Sequence, residues 1–118
     1  MILASFNDKL YYNDHKIVMD VMLETSFSKE IRIALKKGQI MKEHKAPFPI
    51  IVHILTGEIT FGTGGKEYDL KQGDIFTLDG KVPHDLTACT DSVVRLTLSK
   101  PDTTERVKHV ITFSQNQL

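Results

Sequence analysis

The chain is poor in several things at once. Its 118 residues contain one cysteine, Cys89, and no tryptophan. A single thiol excludes an intramolecular disulfide and any cysteine-built zinc site. Excess charge of either sign is also missing. Fifteen Lys plus Arg balance 15 Asp plus Glu, and no basic run or stripe is present to follow a nucleic-acid backbone or an anionic membrane. The N-terminal stretch MILASFNDKLYYNDH has neither a basic leader region nor a sustained apolar segment. No signal peptide or membrane span is therefore indicated, and a cytoplasmic protein with no nucleic-acid or membrane partner is expected. The length suits one domain, 1–118, and is too short for two ordinary ones.

What is there has a period of two. KIVMDVMLE (16–24) places Ile17, Met19, Val21 and Leu23 on one face, and EIRIALKK (30–37) does the same with Ile31, Ile33 and Leu35. EITFG (58–62), DIFTL (74–78) and SVVRLTL (92–98) alternate in the same way. Such alternation marks half-buried strands. IIVHIL (50–55) is apolar on both faces apart from His53, which reads as a strand covered by the core on one side and by another sheet or subunit on the other. Closely spaced turn signals, KKG, GTGG, KQGD and LDGKVP, complete the pattern of an all-β sandwich or barrel. No window offers an amphipathic helix longer than two turns, and segment 6–14 holds at most a helical turn. The tail RVKHVITFS (106–114) alternates Val107, His109, Ile111 and Phe113 and reads as one more strand after the linker KPDTTE.

Histidines cluster in two glycine-punctuated blocks. The first, GQIMKEHKAPFPIIVHILTG, runs from Gly38 to Gly57; the second, GDIFTLDGKVPH, runs from Gly73 to His84. In the first, five residues separate Gly38 from His44; in the second, Gly73-Asp74 leads through an apolar strand and a turn to Pro83-His84. Together the blocks resemble the paired motifs of the cupin family over about residues 30–98. The resemblance implies a double-stranded β-helix, a jelly-roll barrel, with His44 and His84 pointing into its pocket.

The departures from the family pattern bear on function. In metal-binding cupins two histidines and a glutamate of the first motif join the histidine of the second around one ion. Here His44 and His84 are kept, but Ala46 stands in place of the second histidine and Ile50 in place of the glutamate. Catalytic metal sites need about three protein ligands, and the two-histidine-one-carboxylate iron site needs its carboxylate. His53 is three residues from Ile50 and has the wrong strand parity to replace it, although it stays a candidate ligand. Glu43 is the other conceivable carboxylate, and in a lysine-flanked loop it reads as solvated. His15 and His109 read as exposed, and Cys89 as a small core residue.

Three functions stay open at this point. The first is a barrel that binds a small organic ligand in a pocket of His44, Ala46, Ile50 and His84, with or without a weakly held divalent metal (Fe, Ni, Mn or Zn) on His44 and His84. The second is an enzyme: the resemblance implies either metal-dependent dioxygenase or isomerase chemistry, or metal-free general-base chemistry by His84 or His44. The third is a structural or regulatory dimer with a vestigial pocket. A homodimer is expected, with the N-terminal strand, strand 50–55 or the C-terminal segment at its interface, because pairing hides sheet edges and an outer apolar face.

Overall fold

The computed structural model describes residues 1–101 and 104–115, with side chains for 1–101 and 105–112. Nine strands follow in order: β1 (Val18–Glu24), β2 (Ser28–Leu35), β3 (Ile40–His44), β4 (Ile50–Thr56), β5 (Glu58–Thr63), β6 (Lys66–Lys71), β7 (Ile75–Leu78), β8 (His84–Ala88) and β9 (Ser92–Ser99). One helix, α1 (Thr104–Gln115), closes the described chain. The strands form two antiparallel sheets, in the orders β1-β2-β9-β4-β7 and β3-β8-β5-β6. Apart from the β1–β2 and β5–β6 hairpins, successive strands change sheet. That is the winding of a jelly roll, and the expected all-β fold is present.

The alternation expected from sequence sets the inner face. Ile31 and Ile33 of β2 lie opposite Leu96 and Val94 of β9, which in turn lie opposite Val52 and Ile54 of β4. Met41, Ile59, Phe61, Leu86 and Ala88 come from the other sheet to complete the core. β1 breaks its own pattern. A bulge between Val21 and Leu23 puts Leu23 opposite Glu30, whereas Val21 stays opposite Ile31. One extra residue moves everything beyond it to the other face, so Leu23 does not share a face with Ile17, Met19 and Val21.

β2 is buried on both faces because the N-terminal segment lies over its outer side. Arg32, 3% exposed, donates from Nη1 to the carbonyls of Phe6 (2.9 Å) and Asp8 (2.8 Å), and from Nη2 to Asp20 (3.0 Å). Residues 6–9 make a turn there and no helix.

Two further sequence expectations are corrected. Residues 106–114 lie in α1, which is longer than three turns, and not in a strand. Val107, Val110 and Ile111 have i, i+3, i+4 spacing as well as partial alternation, and they pack on the core while His109 is exposed. The helical period uses all three apolar side chains on one face, and the strand period would not. Phe113, the last residue of the expected alternation, and residues 102–103 of the linker lie outside the described side chains. Cys89 is exposed and not part of the core, because it follows the last inward residue of β8, Ala88.

Candidate ligand pocket

Local turn chemistry delivers the two histidines to one place. Gly73, at φ +96, takes a left-handed conformation that a side chain would resist, and it starts the run into β7. Beyond β7, Gly80 approaches the first block so closely that a Cβ there would sit 2.7 Å from the Pro47 carbonyl. Lys81 then donates its N–H to the Ala46 carbonyl at 2.6 Å. The turn of the second block is thus fastened to the loop after β3. Across the β3–β8 ladder His44 lies directly opposite His84, after a register shift beyond Met41. Directly opposed residues share a face, and the rings meet edge-on with centroids 4.3 Å apart.

Each ring is fixed by the backbone two residues before it. Nδ1 of His44 lies 2.7 Å from the Lys42 carbonyl, and Nδ1 of His84 lies 2.9 Å from the Val82 carbonyl. A carbonyl only accepts, so Nδ1 carries the proton and donates in both cases. In a neutral imidazole this leaves Nε2 with its lone pair. Burial holds the rings neutral. It pushes His44 down to about 4, against the opposing effect of its bond to the Lys42 carbonyl, and the His84 and Arg106 charges push the same way. His84, 5% exposed, is lowered by burial first and by Arg106 as well. The pair therefore presents two acceptor nitrogens and no positive charge at neutral pH.

The space beside these rings is small, about 30 Å³. Its walls include Ile33, Ile50, Val52 and Phe61 from the barrel, with Arg106, Val107 and Val110 of α1 closing it. A volume of that size holds a water or an ion. Ile50 lines it as expected. Ala46 is buried but not among the lining residues, and its carbonyl serves the Lys81 turn instead. His53 is on the outer face of β4, in a separate groove with Ile51, Arg95 and Thr97. It cannot join His44 and His84, as strand parity requires. Glu43 is exposed and outside the lining, as are His15 and His109. Sequence reasoning missed Arg106, Val107 and Val110 because the tail was read as a strand. Their helical spacing was the signal available.

The residues present do not fit a closed metal centre. Two imidazoles in this tautomer would suit an ion. However, Ala46 and Ile50 carry no donor, and the described residues hold no group of three or more His, Cys, Asp or Glu able to grip a cation. Arg106 adds a positive field that lowers both imidazoles and opposes a second cation in the same way.

Comparison with known proteins agrees with the fold. The family described as "Cupin domain" matches residues 31–99, more than half of the chain. The chain belongs to the cupin family. Among solved structures, an RmlC-like cupin protein from Desulfovibrio desulfuricans is 22% identical, with 84% of this chain and 96% of that one covered and a TM-score of 0.75. A conserved protein of unknown function from Streptococcus pyogenes is 19% identical over 86% and 89%, at a TM-score of 0.72. A protein with a double-stranded β-helix domain from Klebsiella pneumoniae is 20% identical over 84% and 89%, at 0.71. At these identities they establish the cupin fold and nothing finer. No curated protein sequence matches. No helix among the described residues is long and apolar enough to cross a membrane.

Proposed function

We propose that this cupin is a ligand-binding barrel whose polar anchor is the His44–His84 pair, taking a small organic molecule through a hydrogen bond from the ligand to Nε2. The observation that supports this most is the matched pair of Nδ1–H bonds to backbone carbonyls two residues upstream, which favours the acceptor role for both Nε2 atoms. A barrier to simple general-base catalysis comes from the same burial. His44, held near 4, is a weak base at neutral pH, well below the value that suits proton transfer there, and burial lowers His84 in the same direction.

The test is a thermal-shift screen of small hydroxyl- and amine-bearing compounds, combined with elemental analysis of protein purified without an affinity tag. The proposal expects a stabilising compound whose effect disappears in His84→Ala, with the variant still folded and metal content well below one per chain. Stoichiometric, chelator-resistant metal, or stabilisation that survives in both His84→Ala and His44→Ala, would overturn it.

A weakly held divalent cation on the same two nitrogens is the second reading, favoured by the ion-sized space. Ile50→Glu places a carboxylate in the wall that already contains both imidazoles. It should raise divalent-metal affinity by calorimetry and lower the stability of the metal-free protein, because a buried carboxylate is costly unpaired. Unchanged affinity would remove this reading.

The proposal includes assembly as a homodimer through the outer face of the five-stranded sheet. Ile51 is 43% exposed, Ile75 62% and Phe27 72% there, and together they line one groove. In the same groove, His53 Nδ1 is buried without a partner.

A further inference from the structure

The ion-sized space at the histidines and a much larger pocket are separated by one aromatic ring. The larger pocket, about 380 Å³, has walls supplied by strands β5, β6 and β7. β6 and β7 are edge strands of the two sheets. The sheets are not joined by pairing along this flank, so an opening is left between them. Tyr68, Leu70, Phe76 and Leu78 form most of the wall, with Thr63 and Asp74. This volume lies in the range of sites for small organic molecules, roughly 300–1,000 Å³, and the histidine space does not.

Phe61 belongs to both linings. Its ring lies nearly parallel to His84, at 5.6 Å and 20°, and meets Phe76 edge-on at 4.7 Å and 61°. Thr63, in the wall of the outer pocket, lies opposite His84 in the β5–β8 ladder. The route from the open flank to the His84 ring therefore crosses a single side chain. That side chain borders the free volume of the outer pocket on one side and the histidine space on the other.

We propose that the two spaces are one site with Phe61 as a movable partition. The ligand class is a flat aromatic ring bearing one hydroxyl or ring N–H. The ring lies against Tyr68 and Phe76, and its donor reaches Nε2 of His84 past the displaced Phe61 ring. This deepens the histidine-pair reading and rests on it, because a ring that donates from Nδ1 to the Val82 carbonyl leaves Nε2 to accept from the ligand. Aromatic walls favour a ring over an aliphatic chain through offset and edge contacts. The Asp74 carboxylate in the outer wall disfavours an anionic ligand.

Phenol is the probe. It is titrated into the 118-residue chain carrying labelled Leu and Val methyls and labelled imidazoles. The expected result is that Leu70 and Leu78 methyls and the His84 imidazole shift together with one dissociation constant. Tyr68→Ala, at an exposed position, should weaken all of these shifts in step. Phe61→Leu should tighten binding roughly two- to tenfold, the equivalent of no longer displacing a ring from its rotamer. If the imidazole responds together with the Val107 and Val110 methyls while Leu70 and Leu78 stay still, phenol enters past α1. The joined site is then wrong and the histidine-pair reading survives. If Leu70 and Leu78 respond without the imidazole, the outer pocket binds alone, and the joined site fails together with the acceptor role of His84. No response at any of these groups overturns the aromatic ligand class.

Discussion

The two faces of β4 are made from nearly the same residues and meet different fates. Ile50, Val52 and Ile54 point inward and are buried; Ile51, His53 and Leu55 point outward and are partly or fully exposed. The inward side is complete within one chain, and its neighbours supply a close-packed wall. The outward side mixes apolar and charged groups. Glu30 there accepts from Arg95 Nε (2.9 Å), Thr97 Oγ1 (2.6 Å) and Ser28 Oγ (3.2 Å), and His53 Nδ1 is left without a partner. A histidine's surroundings decide its chemistry. His44 and His84 have an orienting carbonyl each and a shared space, and His53 has neither.

The largest contrast should come from truncation on the two faces. Ile54, 1% exposed, should cost about 2–5 kcal/mol as Ile54→Ala, read from urea unfolding. Ile51→Ala should fall within about 1 kcal/mol in dilute protein. Equal losses would mean that the outer face is as tightly packed as the core.

Acid should act on the inner face next. His44 is depressed to about 4 from 6.5, so the unfolded chain takes up this proton before the folded one does. Its contribution is fully present above pH 6.5 and is lost as pH falls from 6.5 toward 4, by at most about 3 kcal/mol. His84 adds a slope of the same sign. His44→Asn should flatten the pH dependence of the urea midpoint over that window. A slope unchanged in His44→Asn would place the titrating group elsewhere.

Smaller effects belong to the outer face. Glu30 is pulled down by its bonds to Arg95, Thr97 and Ser28, although burial works the other way. Glu30→Gln keeps the shape, loses the charge and should cost about 1–2 kcal/mol, checked by thermal or urea unfolding. Ile51→Glu should leave the isolated chain folded and convert a dimer to a monomer by light scattering. A wild type that is monomeric at high concentration would remove the dimer from the account.

Much of this was legible in the residues. The β-strand alternation, the parity that separates His53 from Ile50, and the Gly-Asp and Pro-His punctuation around β7 all hold, because they depend on local geometry with a strict period. The hairpin between β5 and β6 was also visible, although its turn is Gly64-Gly65 alone. Gly62 lies within β5, against Asp85. Local patterns failed where a segment satisfied two periods at once. Val107 and Ile111 fit a strand or a helix, and Val110, which joins their face only at helical spacing, packs with them on the core. The bulge at Met22 falls in the apolar run Val21-Met22-Leu23, where both faces look alike and strict alternation puts Leu23 on the wrong one. Phe61 looked like any inward strand residue, and its position between two spaces depends on tertiary structure alone.

The central claim is that His44 and His84 are neutral, carry their protons on Nδ1 and offer Nε2 to the cavity. Long-range proton–nitrogen correlation spectra of the imidazoles measure this directly. At pH 7 both rings should show a protonated Nδ1 and a bare Nε2, and His44 should hold that pattern until the pH falls well below 6. Nε2–H tautomers, or a ring already cationic at pH 7, would contradict the account.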